Sequence, residues 1–443
     1  MKISFHGGAQ DVTGACYLLE TGSLKLLIDC GLFQGGKECE DINFEKFQFD
    51  PAGINYLLVT HAHIDHVGRI PKLVREGFRG KILSTKPTRD LARLLLEDSL
   101  SLAIRQNDQL FAMEDLERTF TLWSTVDYGF ETALGEAKIK LHNSGHILGS
   151  ALIEIWAEGK HLLFTGDLGN TPSVLLPPPE KFKNLDFLVI ESVYGTRTHE
   201  NPLERNLQLE RAVEDAASRK GVLVVPSFAA ERTQDILHLL NGMLLFKRIP
   251  EMPVFVDSPL AIKITAVFEQ YAGYFNKDIQ ELLLRHPNLF KFKKLKFTQT
   301  TDESKSINEI PPPKVIIAGS GMMNGGRILH HALRYLPDPA SILLLIGYQG
   351  RGSVGRRLLE GERMVKLFGE EVLVKAEVRS IQGFSAHADA EQLYDFVDAS
   401  RDMLKKVFVV QGEETEALGF AQKIKDYMGL EAKAPILYQK FEI

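Results

Sequence analysis

At 443 residues the chain exceeds what one ordinary hydrophobic core organises, so two or three domains are expected. Hydrophobic content of 44% and charged content of 25% are those of a soluble globular protein, and a net charge of −6 excludes a global attraction to nucleic acid, leaving any phosphate-binding surface local. Three cysteines without a C-x-x-C spacing (Cys16, Cys30, Cys39) exclude a disulfide framework and a cysteine zinc site, which fits a reducing cytoplasm.

The chain begins as a strand, residues 2–5, with no apolar leader region. Short β-type runs follow at 16–20, 24–28 and 56–59, and leucines at helical spacing predict a helix over 88–104. Further strands are predicted at 137–141, 151–156, 161–164 and 187–190, with Pro177-Pro178-Pro179 as a rigid connector. From about residue 202 the pattern lengthens into strand–helix alternation: helix 203–218, strand 222–225, helix 231–245, strand 254–256, helix 260–271 and strand 315–318. That alternation reads as a parallel α/β layer. The longest apolar runs, such as 342–346, are strand-sized and too short for a bilayer. Beyond residue 356 strands return at 372–378, 407–410 and 436–438, with helices at 390–399 and 416–428.

The densest chemistry lies in His61-Ala62-His63-Ile64-Asp65-His66, directly after the run Tyr56-Leu57-Leu58-Val59. Imidazole nitrogens with a carboxylate suit borderline zinc, and a strand end followed by a tight turn can gather them round one point. Alternation sends His61 and His63 to one side, leaving Asp65 and His66, past the bend, to address a second centre. Two later segments add candidates: His146 among small residues in Asn143-Ser144-Gly145-His146, and Asp167 in Thr165-Gly166-Asp167 after an apolar run. Each alone has an ordinary explanation as a loop or turn residue.

In order, Asp29 after Leu26-Leu27-Ile28, then HAHIDH, His146 and Asp167 resemble the signature of the metallo-β-lactamase fold, an αββα sandwich with metals at one rim. Glu191-Ser192-Val193-Tyr194-Gly195, the Gly383–Asp389 segment and the middle α/β layer resemble the β-CASP subfamily of nucleic-acid nucleases. The resemblance covers essentially the whole chain. It implies a metallo-β-lactamase domain at 1–195, a β-CASP insert at 196–355 and a return segment at 356–443. It also implies two zinc ions: one on His61, His63 and His146, the other on Asp65, His66 and His387, with Asp167 bridging. Asp29 would orient a ligand imidazole, and Asp65 could also accept a proton from a shared hydroxide. The implied activity is hydrolysis of single-stranded RNA by that hydroxide in a cleft between domains, with internal cutting and trimming from an end both left open. Implied partners are single-stranded RNA, no membrane, and either a second copy or an RNA-processing complex.

Two departures matter. Arg357, in the stretch from Gly347 to Arg357, stays protonated and is a poor acid, so it is expected to clamp phosphate and pair with Glu191. That leaves the proton donor unassigned, with His330 and His331 as candidates. Gln411-Gly412-Glu413 stands where relatives usually show His-Gly-Glu; glutamine cannot titrate, although metal binding is expected to survive. For substrate, Arg232 and Gln234 open a predicted helix, Ser258 sits at another strand-to-helix turn, and Ser320, Gly321 and Arg327 belong to a glycine-rich turn. All three turns are expected at strand C-termini of the α/β layer, where such sheets place ligands. The basic run 285–296 is a further candidate for tracking a single strand. Two other readings remain: a metallo-hydrolase of a small ester, lactam or thioester, and a non-catalytic RNA-processing scaffold.

Overall fold

The computed structural model describes residues 1–347, 349–350 and 352–443, so Tyr348 and Arg351 of the glycine-rich stretch lie outside the described residues. The chain packs as two compact units, Met1–Thr198 with His387–Ile443, and His199–Ala386.

The first unit holds two seven-stranded sheets. One runs in the order Lys440–Glu442, Lys2–Phe5, Tyr17–Thr21, Leu24–Ile28, Tyr56–Leu58, Lys81–Ser84, Trp123–Thr125. The other runs Ala432–Lys433, Lys406–Val410, Phe187–Glu191, Lys160–Phe164, Ala151–Ala157, Ala137–Asn143, Glu131–Leu134. Side-chain alternation decides what each face buries. In the second sheet Leu162, Phe164, Val189 and Phe408 join Ile3, Phe5, Leu26, Ile28 and Leu58 of the first sheet in one apolar core. Their neighbours Leu163, Leu188, Ile190, Val407 and Val409 point the other way, onto Leu393 and Phe396 of helix Ala390–Asp398 and Phe420 and Ile424 of helix Glu414–Met428. Both sheet faces are therefore buried, and the strands read as continuous apolar runs. Helix Lys86–Gln106 packs on helix Met113–Thr121 and on the edge strand Trp123–Thr125 of the first sheet.

The second unit has a parallel six-stranded sheet in the order Leu295–Phe297, Val254–Asp257, Lys314–Ala318, Val222–Pro226, Ile342–Ile346, Glu377–Ile381. Its helices begin where the alternation placed them, at Pro202–Ser218, Arg232–Leu245 and Pro259–Gln270. The unit extends past the expected end at residue 355, because Glu377–Ile381 completes this sheet beside Ile342–Ile346. The strand expected at 372–378 is instead divided. Met364–Leu367 and Glu370–Leu373 form a hairpin whose corner residues Phe368 and Gly369 take φ of 50° and 88°, the left-handed pair that tight hairpins need. Nor is 436–438 a strand. Tyr438 sits at φ 66° and Gln439 N returns to Ile436 O, so the last strand starts at Lys440.

Candidate metal centre

Six strands of the first unit carry the candidate residues at or just past their C-terminal ends. Asp29 follows Leu24–Ile28, His61 follows Tyr56–Leu58, and His146 follows Ala137–Asn143. Asp167 follows Lys160–Phe164, Glu191 ends Phe187–Glu191, and Gln411 follows Lys406–Val410. Close backbone approach brings the loops together. Asp65 O accepts from Ala15 N at 2.9 Å, and a Cβ on Gly31 would lie 1.5 Å from that same oxygen. Gly166, at φ 51°, lets the Asp167 loop pass Thr60, whose side chain a Cβ would meet at 2.6 Å. Ser150 Oγ accepts from the backbone N of His146 and of Ile147, pinning that loop.

The side chains converge as a cage. His61 Nε2 lies 3.0 Å from His63 Nδ1 and 3.4 Å from Asp167 Oδ2. His146 Nε2 lies 3.2 Å from His63 Nδ1 and 3.3 Å from the same Asp167 oxygen. Four atoms about 2.0–2.1 Å from a central zinc, arranged tetrahedrally, stand about 3.3–3.4 Å apart, so this spacing fits a metal ion of that kind. The donor chemistry fits too. Burial and neighbouring imidazoles hold His61 well below the usual histidine range. Burial does the same for His146, against the pull of Asp167. Asp167 is held far below the carboxylate range, because His66 and His146 outweigh its burial.

Asp167 separates two sides. Its Oδ2 faces His61, His146 and, at 3.9 Å, His387 Nδ1. Its Oδ1 faces His66 Nε2 at 3.4 Å and Gln411 Nε2 at 2.8 Å. The expected grouping of His387 with Asp65 and His66 is therefore corrected, because His387 stands on the other side of the carboxylate. A buried carboxylate holds it there: His387 Nδ1 lies 3.2 Å from both Oε1 and Oε2 of Glu191. Burial would lower the His387 pKa, but Glu191, Asp167 and Asp65 outweigh it and raise it to about 9. Asp65 lies near His66, with Oδ2 3.9 Å from Nε2, and burial lifts its carboxyl to about 6 against the His66 charge.

Asp29 is fully buried beneath His66 and Thr60. Its Oδ2 accepts from His66 Nδ1 and from Thr60 Oγ1, both at 2.7 Å, and its Oδ1 accepts from Thr60 N at 2.8 Å. Thr60 is missing from the sequence reading, although its place directly before the histidine cluster made it the natural tether. Gln411 was legible only as a departure, yet its amide reaches both His66 and Asp167.

The second unit changes several assignments. Arg232 is buried, with its guanidinium on Phe384 O and on Asp235 Oδ2 at 2.8 Å. Gln234 is fully buried and donates to Ala229 O and Thr265 Oγ1. Arg327 is taken by Asp257 Oδ1, Thr298 O and Gln299 O. Arg232 and Gln234 face inward, and half-buried Arg327 is tied to the same unit. Within the second unit Arg357 pairs with Glu362 at 3.3 Å, and within the first the Glu191 carboxylate accepts from Leu168 N and Val193 N beside His387. His331 is buried on Asp257 Oδ2 and His330 stacks on Phe368, which removes both from consideration as the missing acid. In the basic run Phe290 is buried against Phe268 and Phe275, and Lys291, Lys293 and Lys294 meet Glu269 and Glu251. Ser258 and Ser320 stay half-buried at adjacent parallel-strand ends, and a Cβ on the buried Gly321 would strike the Phe228 ring at 2.6 Å.

Comparison with known proteins agrees with this geometry. Residues 9–227 match the metallo-beta-lactamase superfamily, 233–358 the Beta-Casp domain, and 371–435 the Zn-dependent metallo-hydrolase RNA specificity domain. The chain is 36% identical to ribonuclease TTHA0252 of Thermus thermophilus, with 95% of each chain covered. It is 32% identical to an RNase J-like protein of Methanocaldococcus jannaschii, covering 98% of each. It is also 31% identical to the transcription termination factor FttA of that organism, covering 96% of this chain and 69% of the relative. A crystal structure of a protein of unknown function from Enterococcus faecalis V583 shares the fold at a TM-score of 0.58 and 12% identity, covering 100% and 99% of the two chains. The chain belongs to the metallo-β-lactamase superfamily and, within it, to the β-CASP RNA nuclease family.

Proposed function

We propose that the protein is a zinc-dependent ribonuclease that hydrolyses phosphodiester bonds of single-stranded RNA. The observation that carries this reading is the convergence of His61, His63, His146 and Asp167 within 4.8 Å, in a chain related throughout to a ribonuclease. His61, His63, His146 and Asp167 would hold one metal, and Asp65 and His66 offer a second position across Asp167. Bound metal would acidify a water and offset the negative charge growing on the attacked phosphate.

The chain's own residues supply the rest. Asp29 accepts from His66 Nδ1, which leaves Nε2 as the ring nitrogen turned toward Asp167 and the metal position. Glu191 keeps the His387 imidazole protonated near neutral pH, so His387 is the group equipped to give a proton to the departing oxygen. This assigns the acid that arginine at 357 cannot be.

The test is cleavage of an end-labelled single-stranded RNA oligonucleotide by purified protein, stripped of metal and then reloaded with zinc. Cleavage restored by zinc and absent in Asp167→Ala is expected. A zinc-loaded protein inert on every RNA, yet active on a small ester, would sink the assignment of substrate. The sizes of the labelled products separate internal cutting from trimming at an end.

A further inference from the structure

We propose that Gln411 makes the Asp65–His66 side of Asp167 a weak, exchangeable metal position, so that the protein retains one metal ion tightly and takes a second only at elevated metal concentration. This rests on the reading that the histidine cluster is a metal centre.

The two sides of Asp167 differ in their spacing. On the Oδ2 side, ligand atoms stand 3.0–3.4 Å apart, as the corners of a cage round an ion do. On the Oδ1 side, Gln411 Nε2 lies 2.7 Å from His66 Nε2 and 2.8 Å from Asp167 Oδ1. Those are hydrogen-bond lengths, shorter than a cage edge. His66 Nε2 and Asp167 Oδ1 themselves stand 3.4 Å apart, so the amide nitrogen bonds to both atoms an ion would need and fills the third corner beside them with a group that is not a ligand.

Asp29 Oδ2 accepts from His66 Nδ1, so Nε2 is the ring nitrogen that turns to Gln411 and the one an ion would use. The Gln411 amide nitrogen donates to Asp167 Oδ1, and turning the amide over would set its oxygen against that carboxylate. An amide nitrogen, which has no free lone pair to give a metal, thus holds both atoms that an ion on this side would bind.

The residue is also built into position. Gln411 is 1% exposed and adopts φ 47°, a left-handed conformation that side chains other than glycine rarely take. Its N donates to Gly8 O at 2.7 Å and its O accepts from Ser192 N at 3.2 Å. Its Oε1 is buried with no hydrogen-bond partner. That orphaned oxygen is what an entering cation can recruit, by rotation of the amide. An amide oxygen is a neutral, harder donor than imidazole and suits zinc less well. Entry of the ion must also break two buried hydrogen bonds. Both effects weaken the second position relative to the first.

The experiment counts metal by mass spectrometry after zinc-loaded protein passes through a chelating resin. The wild type is expected to retain about one equivalent per chain, and Gln411→His and Gln411→Glu about two, because each supplies a stronger zinc donor at the same place. Gln411→Glu keeps the shape of glutamine, so it remains informative if the histidine variant fails to fold. Calorimetric zinc titration should show two binding phases in the wild type, at least about tenfold apart in Kd, that merge in the variants. Two tightly retained equivalents in the wild type overturn this proposal alone. So does one equivalent in both folded variants. Absence of retained metal from all three proteins removes the metal centre itself, and this inference with it.

Discussion

The Nδ1 atom of His387 lies 3.2 Å from each carboxylate oxygen of Glu191, a residue 196 positions earlier that is itself fully buried. An imidazole clasped by a buried carboxylate keeps its proton, and the pair sits beside Asp167 without joining the cage of His61, His63 and His146. His387→Ala and Glu191→Gln should therefore each lower the cleavage rate by about 10²–10⁴-fold while leaving retained zinc unchanged. Metal counting together with single-turnover kinetics checks this. Loss of a zinc equivalent in His387→Ala would make His387 a ligand instead.

Asp29 accepts three hydrogen bonds in a fully buried setting. Asp29→Ala orphans Thr60 N, Thr60 Oγ1 and His66 Nδ1 together, so the metal-free protein should lose about 1–3 kcal/mol of stability at least. Urea unfolding with chelator present measures it. An unchanged midpoint would mean that water replaces the carboxylate without loss.

Two arginines should behave oppositely. Arg232 is buried against Asp235, and Arg232→Ala leaves that carboxylate without its nearest counter-charge, at a cost of about 3–5 kcal/mol. Arg357 forms a partly exposed pair with Glu362, and Arg357→Ala should change stability by about 0–1 kcal/mol. Denaturation of both variants beside the wild type tests the contrast, which disappears if Arg232→Ala unfolds no more easily than Arg357→Ala.

A second charged cluster, away from the metal cage, predicts a pH dependence. His142 bonds Glu180 through Nδ1 at 2.8 Å and Glu154 through Nε2 at 2.7 Å, and His161 Nε2 reaches Glu154 at 2.6 Å. Burial opposes the charge on His142, but the two carboxylates prevail and raise it to about 9. Burial likewise opposes ionisation of Glu154, yet His142 and His161 hold it at about 2. For His142 the stabilisation is complete below the unfolded value of about 6.5 and fades as pH rises through about 9. For Glu154 it is present above about 4.3 and fades as pH falls through about 2. Metal-free protein should thus lose stability between about pH 6.5 and 9. His142→Gln should flatten that slope, and identical slopes in the two proteins would remove the cluster as its source.

The chemistry and its order were legible in one dimension. HAHIDH, the later His146 and Asp167, and the switch from short strands to strand–helix alternation identify the donors and the insert, because spacing and apolar period are local properties. The role of Asp29 came only from the family resemblance; its carboxylate lies 2.7 Å from His66 Nδ1. Inward-facing polar residues were not legible. Arg232, Gln234 and Arg327 look like phosphate binders by type and position, yet each finds its partner within its own unit, on the same helix turn, a neighbouring helix or a strand end. Sequence shows that a cation opens a helix, not whether an acid three residues on or across a strand end has already claimed it.

What the residues by themselves determined is which donors the protein possesses and which strands carry them, for these follow from side-chain chemistry and periodicity. Tertiary structure alone decided the partition about Asp167, with His387 on one side beside Glu191 and Gln411 on the other beside His66. The reason is geometric. A carboxylate has two oxygens pointing in different directions, and which distant loop reaches which oxygen depends on how the sheets and loops pack, to within an ångström.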